Sequence, residues 1–115
     1  MKVIYIAGPF RAQTSWQIEL NIHQAKCAAF EIWKVGHVAI CPHANSGDFA
    51  GEPFEDSVLA GYREVVRRCD AVLLLPGWEA SIGSLRERET AKDSNVPIFY
   101  HMDDLMEFLD SRNDT

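Results

Sequence analysis

Residues 73–91, LLLPGWEASIGSLRERETA, end an apolar run in Pro76-Gly77 and then open a helical stretch with Glu87 and Glu89 two positions apart. A carboxylate at the edge of a cleft can serve as nucleophile, general base or cation anchor. The helical neighbours of the two glutamates separate them. Glu89 has Arg86 three residues before it and Lys92 three after, the spacing of a solvated, ion-paired face. Glu87 has Gly83, Ser84, Thr90 and Ala91 at three and four residues, all small and none basic. So narrow a face lets a ligand or another element approach closely, and solubility explains a carboxylate there poorly. Glu87 is therefore the candidate for chemistry, against the plainer reading of helix surface.

Other residue types point to an anionic ligand. Ser81 is placed as an N-cap, and Gly83 and Ser84 leave the first turn uncrowded, which suits both a capped helix and an anion site. Arg11 offers a fork of donors to a phosphate, or is a plain surface arginine. Tyr5, within the first strand, reads as a core aromatic with its hydroxyl satisfied. CPHANSGD supplies His43, Asn45, Ser46 and Asp48. Trp78 either stacks on a base or sugar, or covers the sheet edge. A metal held by His37, His43 and Asp48 matches no familiar ligand spacing, and His37 begins a strand at the opposite edge, so no metal is expected.

The elements that must position these residues follow from periodicity. KVIYIAG, HVAIC, DAVLLLPG and VPIFY read as short strands, the third nearly continuous as a strand covered on both faces should be. Helices are expected over 15–36, 54–69, 81–94 and 102–111. The first carries Ile18, Ile22, Ala25, Ala29 and Ile32 inward, and the second Val58, Leu59, Tyr62, Val65 and Val66. Residues 42–53 show no period and read as a loop. Strands alternating with helices imply an α/β fold: one three-layer domain over 1–115, with a parallel sheet of about four to five strands, Rossmann- or flavodoxin-like. In such sheets ligands lie beyond the carboxyl ends of the strands, here the segments 8–15, 42–53 and 76–81. Asp70 falls at the other end and reads as a turn or cap.

The chain has 115 residues and a net charge of −6, which argues against nucleic-acid polymers and anionic membranes as partners. Cys27, Cys41 and Cys69 are odd in number and without a CxxC, so they read as reduced, buried thiols. No apolar run approaches a membrane span and the N-terminus does not read as a signal peptide, so a cytoplasmic protein is expected.

From IYIAGPFR through CPHAN and CDAVLLLPGW to SIGSLRERETA, the chain resembles the nucleoside 2-deoxyribosyltransferase superfamily, which includes 2'-deoxynucleoside 5'-monophosphate N-glycosidases. That group's central motif falls on Ser81, Gly83, Glu87 and Ala91. The resemblance implies that Glu87 attacks the anomeric carbon of a sugar and that Tyr5 lies beside it. It also implies that Gly8 and Arg11 sit near a substrate phosphate. Serine at position 81, where the transferases tend to carry aspartate, favours a nucleotide, because a carboxylate would repel the phosphate. Relatives complete their sites across a subunit interface, so a homodimer or higher oligomer is expected, with Trp16, Phe30 and Trp33 as contact residues or as core. The chain departs from the group at Tyr62, where an aspartate is usual; Asp48 and Asp56 are the nearby substitutes.

The resulting expectation is an N-glycosidase that cleaves the base–sugar bond of a nucleoside 5'-monophosphate through a glycosyl–Glu87 intermediate. Glu87 is ionised in that reading. Tyr5 orients it, Ser81, Gly83 and Arg11 meet the phosphate, and Trp78 or the His43–Asn45 segment meets the base. No cofactor or metal is required in that reading, and a base-exchanging transferase and a nucleotide-binding sensor without turnover are the alternatives. A flavodoxin-like redox domain lacks the Ser/Thr-rich cradle that flavin phosphate needs.

Overall fold

The computed structural model describes residues 1–46 and 51–110. Its centre is a parallel sheet of four strands, Val3–Ala7 (β1), Val38–Ile40 (β2), Ala71–Leu74 (β3) and Ile98–Phe99 (β4), in the order β2-β1-β3-β4. β1 pairs β3 with Tyr5 opposite Val72 and Ala7 opposite Leu74. This is the expected three-layer α/β arrangement, with four strands.

The helices are Ser15–Lys34 (α1), Pro42–Ser46 (α2), Glu55–Arg68 (α3), Ile82–Asp93 (α4) and Met102–Asp110 (α5). Successive strand residues point to opposite faces, and two cores follow from that alternation. Ile4, Ile6, Ala71 and Leu73 pack with α1 and α5, through Ala25, Ile32, Leu105 and Leu109. Tyr5, Ala7, Val72 and Leu74 pack with α3 and α4, through Val66 and Ala91. All four residues of β3 are buried, which explains its unbroken apolar run.

Local chemistry sets the element ends. Thr14 caps α1, its Oγ1 accepting from the Gln17 amide at 3.1 Å, and Gly36 takes the left-handed φ of +90° just beyond the C-terminal end. Ser81 caps α4, its Oγ accepting from the Ser84 amide at 3.2 Å. Gly77, at φ +92°, turns the chain out of the sheet after Pro76. One turn of 3-10 helix, Trp78–Ala80, then leads into α4.

Several expectations need correction. Part of the segment expected as a loop is helical: Pro42 pre-sets the first helical φ, and the Ala44 and Asn45 amides return to the Cys41 carbonyl at 3.1 and 3.2 Å. Asp48 lies outside the described residues. The inward line of α1 is Asn21, Ala25, Ala28 and Ile32, so the helix is rotated from the expected stripe. Asn21 is drawn in because its Nδ2 donates to the Phe10 carbonyl at 3.2 Å while its Oδ1 accepts from Gln17 at 3.0 Å. Cys69 is buried and Cys41 half-buried, but Cys27 is exposed on the outer face of α1. Trp16, Phe30 and Trp33 are 70%, 63% and 55% exposed, so core packing is not their role. Asp70 anchors the start of β1, its carboxylate accepting from the Val3 amide at 2.7 Å. Among the described residues no helix is long and apolar enough to cross a membrane.

Candidate active site

Beyond the carboxyl ends of β1 and β3 lies a cleft of about 740 Å³. The first loop, α2, α3, the turn after β3 and the start of α4 all contribute to it, as the fold rule for open parallel sheets predicts. Glu87 lines this cleft from the second turn of α4, with Gly83 one turn before it. Tyr5, fully buried in β1, donates its phenolic hydroxyl to the Glu87 carboxylate. A strand and a helix far apart in sequence thus meet at one proton.

Burial dominates the electrostatics of this pair. It pushes the Glu87 carboxyl up from 4.5 to about 7, against the smaller downward pull of the Tyr5 hydrogen bond and of the Arg63 charge. Burial also pushes the Tyr5 phenol well above its usual value, and the neighbouring carboxylate adds to that. Glu87 therefore titrates close to neutral pH, above the range in which an ordinary glutamate is fully ionised, and this departs from the expectation of an ionised carboxylate. A carboxyl poised there can act as a nucleophile or a base, and a phenol beside it holds its orientation.

The other expected residues divide. Gly8, Arg11, His43, Ser81 and Gly83 line the cleft together with Glu87. A Cβ on Gly8 would stand 2.9 Å from the Leu75 Cβ, so close packing against Leu75, just beyond β3, by itself requires glycine there. Gly83 is different, because nothing lies within 4 Å of the Cβ it lacks. The Arg11 guanidinium is ion-paired with Glu55. His43 has its Nε2 at 3.2 and 3.0 Å from the Gly8 and Pro9 carbonyl oxygens, so that nitrogen carries the hydrogen and braces the first loop. Burial lowers its pKa and keeps it neutral.

Trp78 and Asn45 stand outside the lining. Trp78 packs 5.4 Å from the Tyr100 ring and 5.1 Å from the Arg88 guanidinium, covering the sheet edge at β4 instead of facing the cleft. Asn45 is exposed and reaches the site only through Tyr62, donating to its hydroxyl at 2.7 Å. Asp56 is exposed and outside the lining as well. His37 accepts from the Lys2 amide at the amino end of the sheet, far from the loop that holds His43. Among the described residues no three His, Cys, Asp or Glu side chains are placed to hold a metal ion.

Arg63 and Arg86 line the cleft and were missed from sequence. Arg86 was expected to pair with Glu89. It makes no ion pair with Glu89, and it follows Gly83 by three residues, on the cleft-facing side of α4. That spacing was a usable signal. Arg63 gave none, because its approach to Glu87 depends on how α3 packs against α4. Leu59, expected inward, is 39% exposed at the cleft.

A search of the curated proteins finds no match to the chain. A family model described as a domain of unknown function, DUF4406, matches residues 2–100. That span runs from before β1 to just past β4 and includes every cleft residue named above, and the chain belongs to the DUF4406 family.

Proposed function

We propose that the protein is an N-glycosidase acting on a nucleoside 5'-monophosphate, as its resemblance to the nucleoside 2-deoxyribosyltransferase superfamily implies. The observation that carries the reading is the hydrogen-bonded Tyr5–Glu87 pair at a cleft that three guanidinium groups also line. In the ionised state Glu87 attacks C1' of the sugar and the base departs, giving a glycosyl ester. Water then cleaves the ester with net retention, as in retaining glycoside hydrolases. The hydrogen bond from Tyr5 fixes which carboxylate oxygen is free to attack.

The phosphate fits the amino end of α4, where the helix dipole and the Ser81 hydroxyl lie and whose cleft Arg86 also lines. Arg11 keeps donors for the same phosphate because Glu55 engages only part of its five-donor fork. These groups place local positive charge in a chain of net charge −6, as a small anionic ligand requires. Open space at Gly83 lets the sugar approach the helix backbone. The base lies towards Tyr62 and Leu59, since Trp78 faces elsewhere.

A sensor that binds nucleotides without cleaving them is the second reading. It is favoured by one observation: among the described lining residues, the carboxylates are Glu55 and Glu87 alone. One experiment separates the two. Purified protein is incubated with ribo- and deoxyribonucleosides and their 5'-monophosphates, and free base is followed by chromatography. The glycosidase reading expects base from monophosphates and none with Glu87→Gln. A melting temperature raised by nucleotide, with no base released, would establish the sensor instead.

A further inference from the structure

A departing base needs a hydrogen-bond donor as much as the sugar needs a nucleophile. Resting on the glycosidase reading, we propose that the Tyr62 hydroxyl is the catalytic donor to the leaving base.

The rest of the described lining supplies no other candidate acid. Glu55 is committed to Arg11, and Glu87 is the nucleophile. The His43 Nε2 hydrogen is shared between two backbone carbonyls, and the ring is neutral. The Ser81 hydroxyl belongs to the phosphate end of the cleft.

Tyr62 has the right surroundings. Asn45 Nδ2 donates to its oxygen at 2.7 Å, and Ser46 Oγ lies 2.7 Å from the same oxygen. Asn45 can only donate, and either hydroxyl can donate in the Ser46 contact; when Ser46 does, the phenol's own hydrogen is left for a ligand and the oxygen is polarised as a donor. The Tyr62 ring meets the Tyr5 ring edge-on, with centroids 6.3 Å apart, so the phenol flanks the Tyr5–Glu87 pair instead of sitting at the rim. Asn45 and Ser46 occupy the last turn of α2, the element that sequence periodicity had assigned to a loop.

The step balances. As a Glu87 oxygen forms its bond to C1', the C1'–N bond breaks and its electron pair goes to the base nitrogen. The Tyr62 proton moves to the base, directly or through the base's own tautomeric site, and leaves a phenolate held by Asn45 and Ser46. When water attacks C1', its proton returns to Tyr62, and Glu87 leaves as a carboxylate. A phenol is a weak acid, so this assistance matters most for bases that leave as poor anions.

The test compares two leaving groups on one scaffold: a purine nucleoside 5'-monophosphate and its N7-methyl derivative. The methylated base already carries a positive charge and leaves without taking a proton. Tyr62→Phe keeps the ring and its contact with Tyr5, and an unchanged melting temperature checks that. For Tyr62→Phe, kcat/KM falls roughly 100-fold on the ordinary purine and less than about threefold on the N7-methyl substrate, the size expected for losing one general acid. Equal losses on both substrates would overturn the proposal, because Tyr62 would then act only by supporting Tyr5. No loss on either would overturn it too. Cleavage of the N7-methyl substrate that vanishes in Glu87→Gln keeps the glycosidase reading standing in both cases. If the wild-type protein releases base from neither substrate, that reading falls and the donor role falls with it.

Discussion

Glu87 pairs a usable nucleophile with an unfavourable site. Its carboxyl is raised to about 7 because burial costs the charged form more than Tyr5 and Arg63 return. Attack on C1' needs the ionised form, so kcat/KM should rise with pH through about 7 and fall tenfold per unit below it. Arg63→Met should move that rise to higher pH, because a positive charge that favours ionisation is gone. A rise centred near 4.5, read from the pH profile, would contradict the upward shift that burial imposes on Glu87. The same shift bears on folding. A carboxyl whose pKa is higher folded than unfolded stabilises the fold at low pH. It loses that contribution as pH climbs from about 4.5 to about 7. The full shift is worth on the order of 3 kcal/mol. Glu87→Gln keeps an acceptor for Tyr5 without the charge. It should melt several degrees higher than wild type at pH 8, and at nearly the same temperature at pH 5. Equal melting temperatures at both pH values would contradict a carboxyl whose charged form burial disfavours.

Among the elements, α4 carries Glu87 and Arg86 into the cleft, and Gly83 in its first turn tests why. A glycine inside a helix costs about 1 kcal/mol relative to alanine, and the space around Gly83 would accept a methyl group without contact. Gly83→Ala should therefore leave the melting temperature equal or higher while raising KM at least several-fold, because the methyl group enters the cleft. A drop in stability with KM unchanged would mean that Gly83 serves the fold. The importance of α4 was legible in sequence because helical spacing is local: small neighbours at three and four residues marked out Glu87, and Ser81 read correctly as a cap. Strand β3 was legible because a strand covered on both faces has no polar period to hide it. What stayed hidden depends on tertiary packing. Asn21 is buried by a hydrogen bond to a loop carbonyl that no periodicity reports. The Arg86–Glu89 spacing promised an ion pair, but the cleft offered the guanidinium a different neighbourhood. Trp78 had two open readings, and only the position of Tyr100 decides between them.

For the whole molecule, the open question is what lies against α1. Trp16, Leu20, Cys27 and Phe30 fall along one outward stripe of that helix, and all are exposed. Apolar stripes of this kind mark contact surfaces. A second copy of the chain is the occupant we propose, since a domain this short gains burial by self-association. Sedimentation should show a dimer or larger assembly that Phe30→Asp dissociates, and a wild-type monomer at tens of micromolar would contradict it. The charge distribution fits the catalytic reading at this scale too, with guanidinium groups gathered in the cleft of an acidic chain. A covalent bond from Glu87 to the sugar is the step on which the proposed reaction depends. Its most direct measurement is intact mass spectrometry of the protein after incubation with a 2'-fluoro-2'-deoxyarabinonucleoside 5'-monophosphate, whose fluorine slows hydrolysis of a glycosyl ester. The account predicts a mass increase of one fluorinated sugar phosphate, mapped to the peptide that holds Glu87 and absent in Glu87→Gln. Free base released from that substrate while the protein mass stays unchanged, or an adduct mapped to another residue, would contradict it.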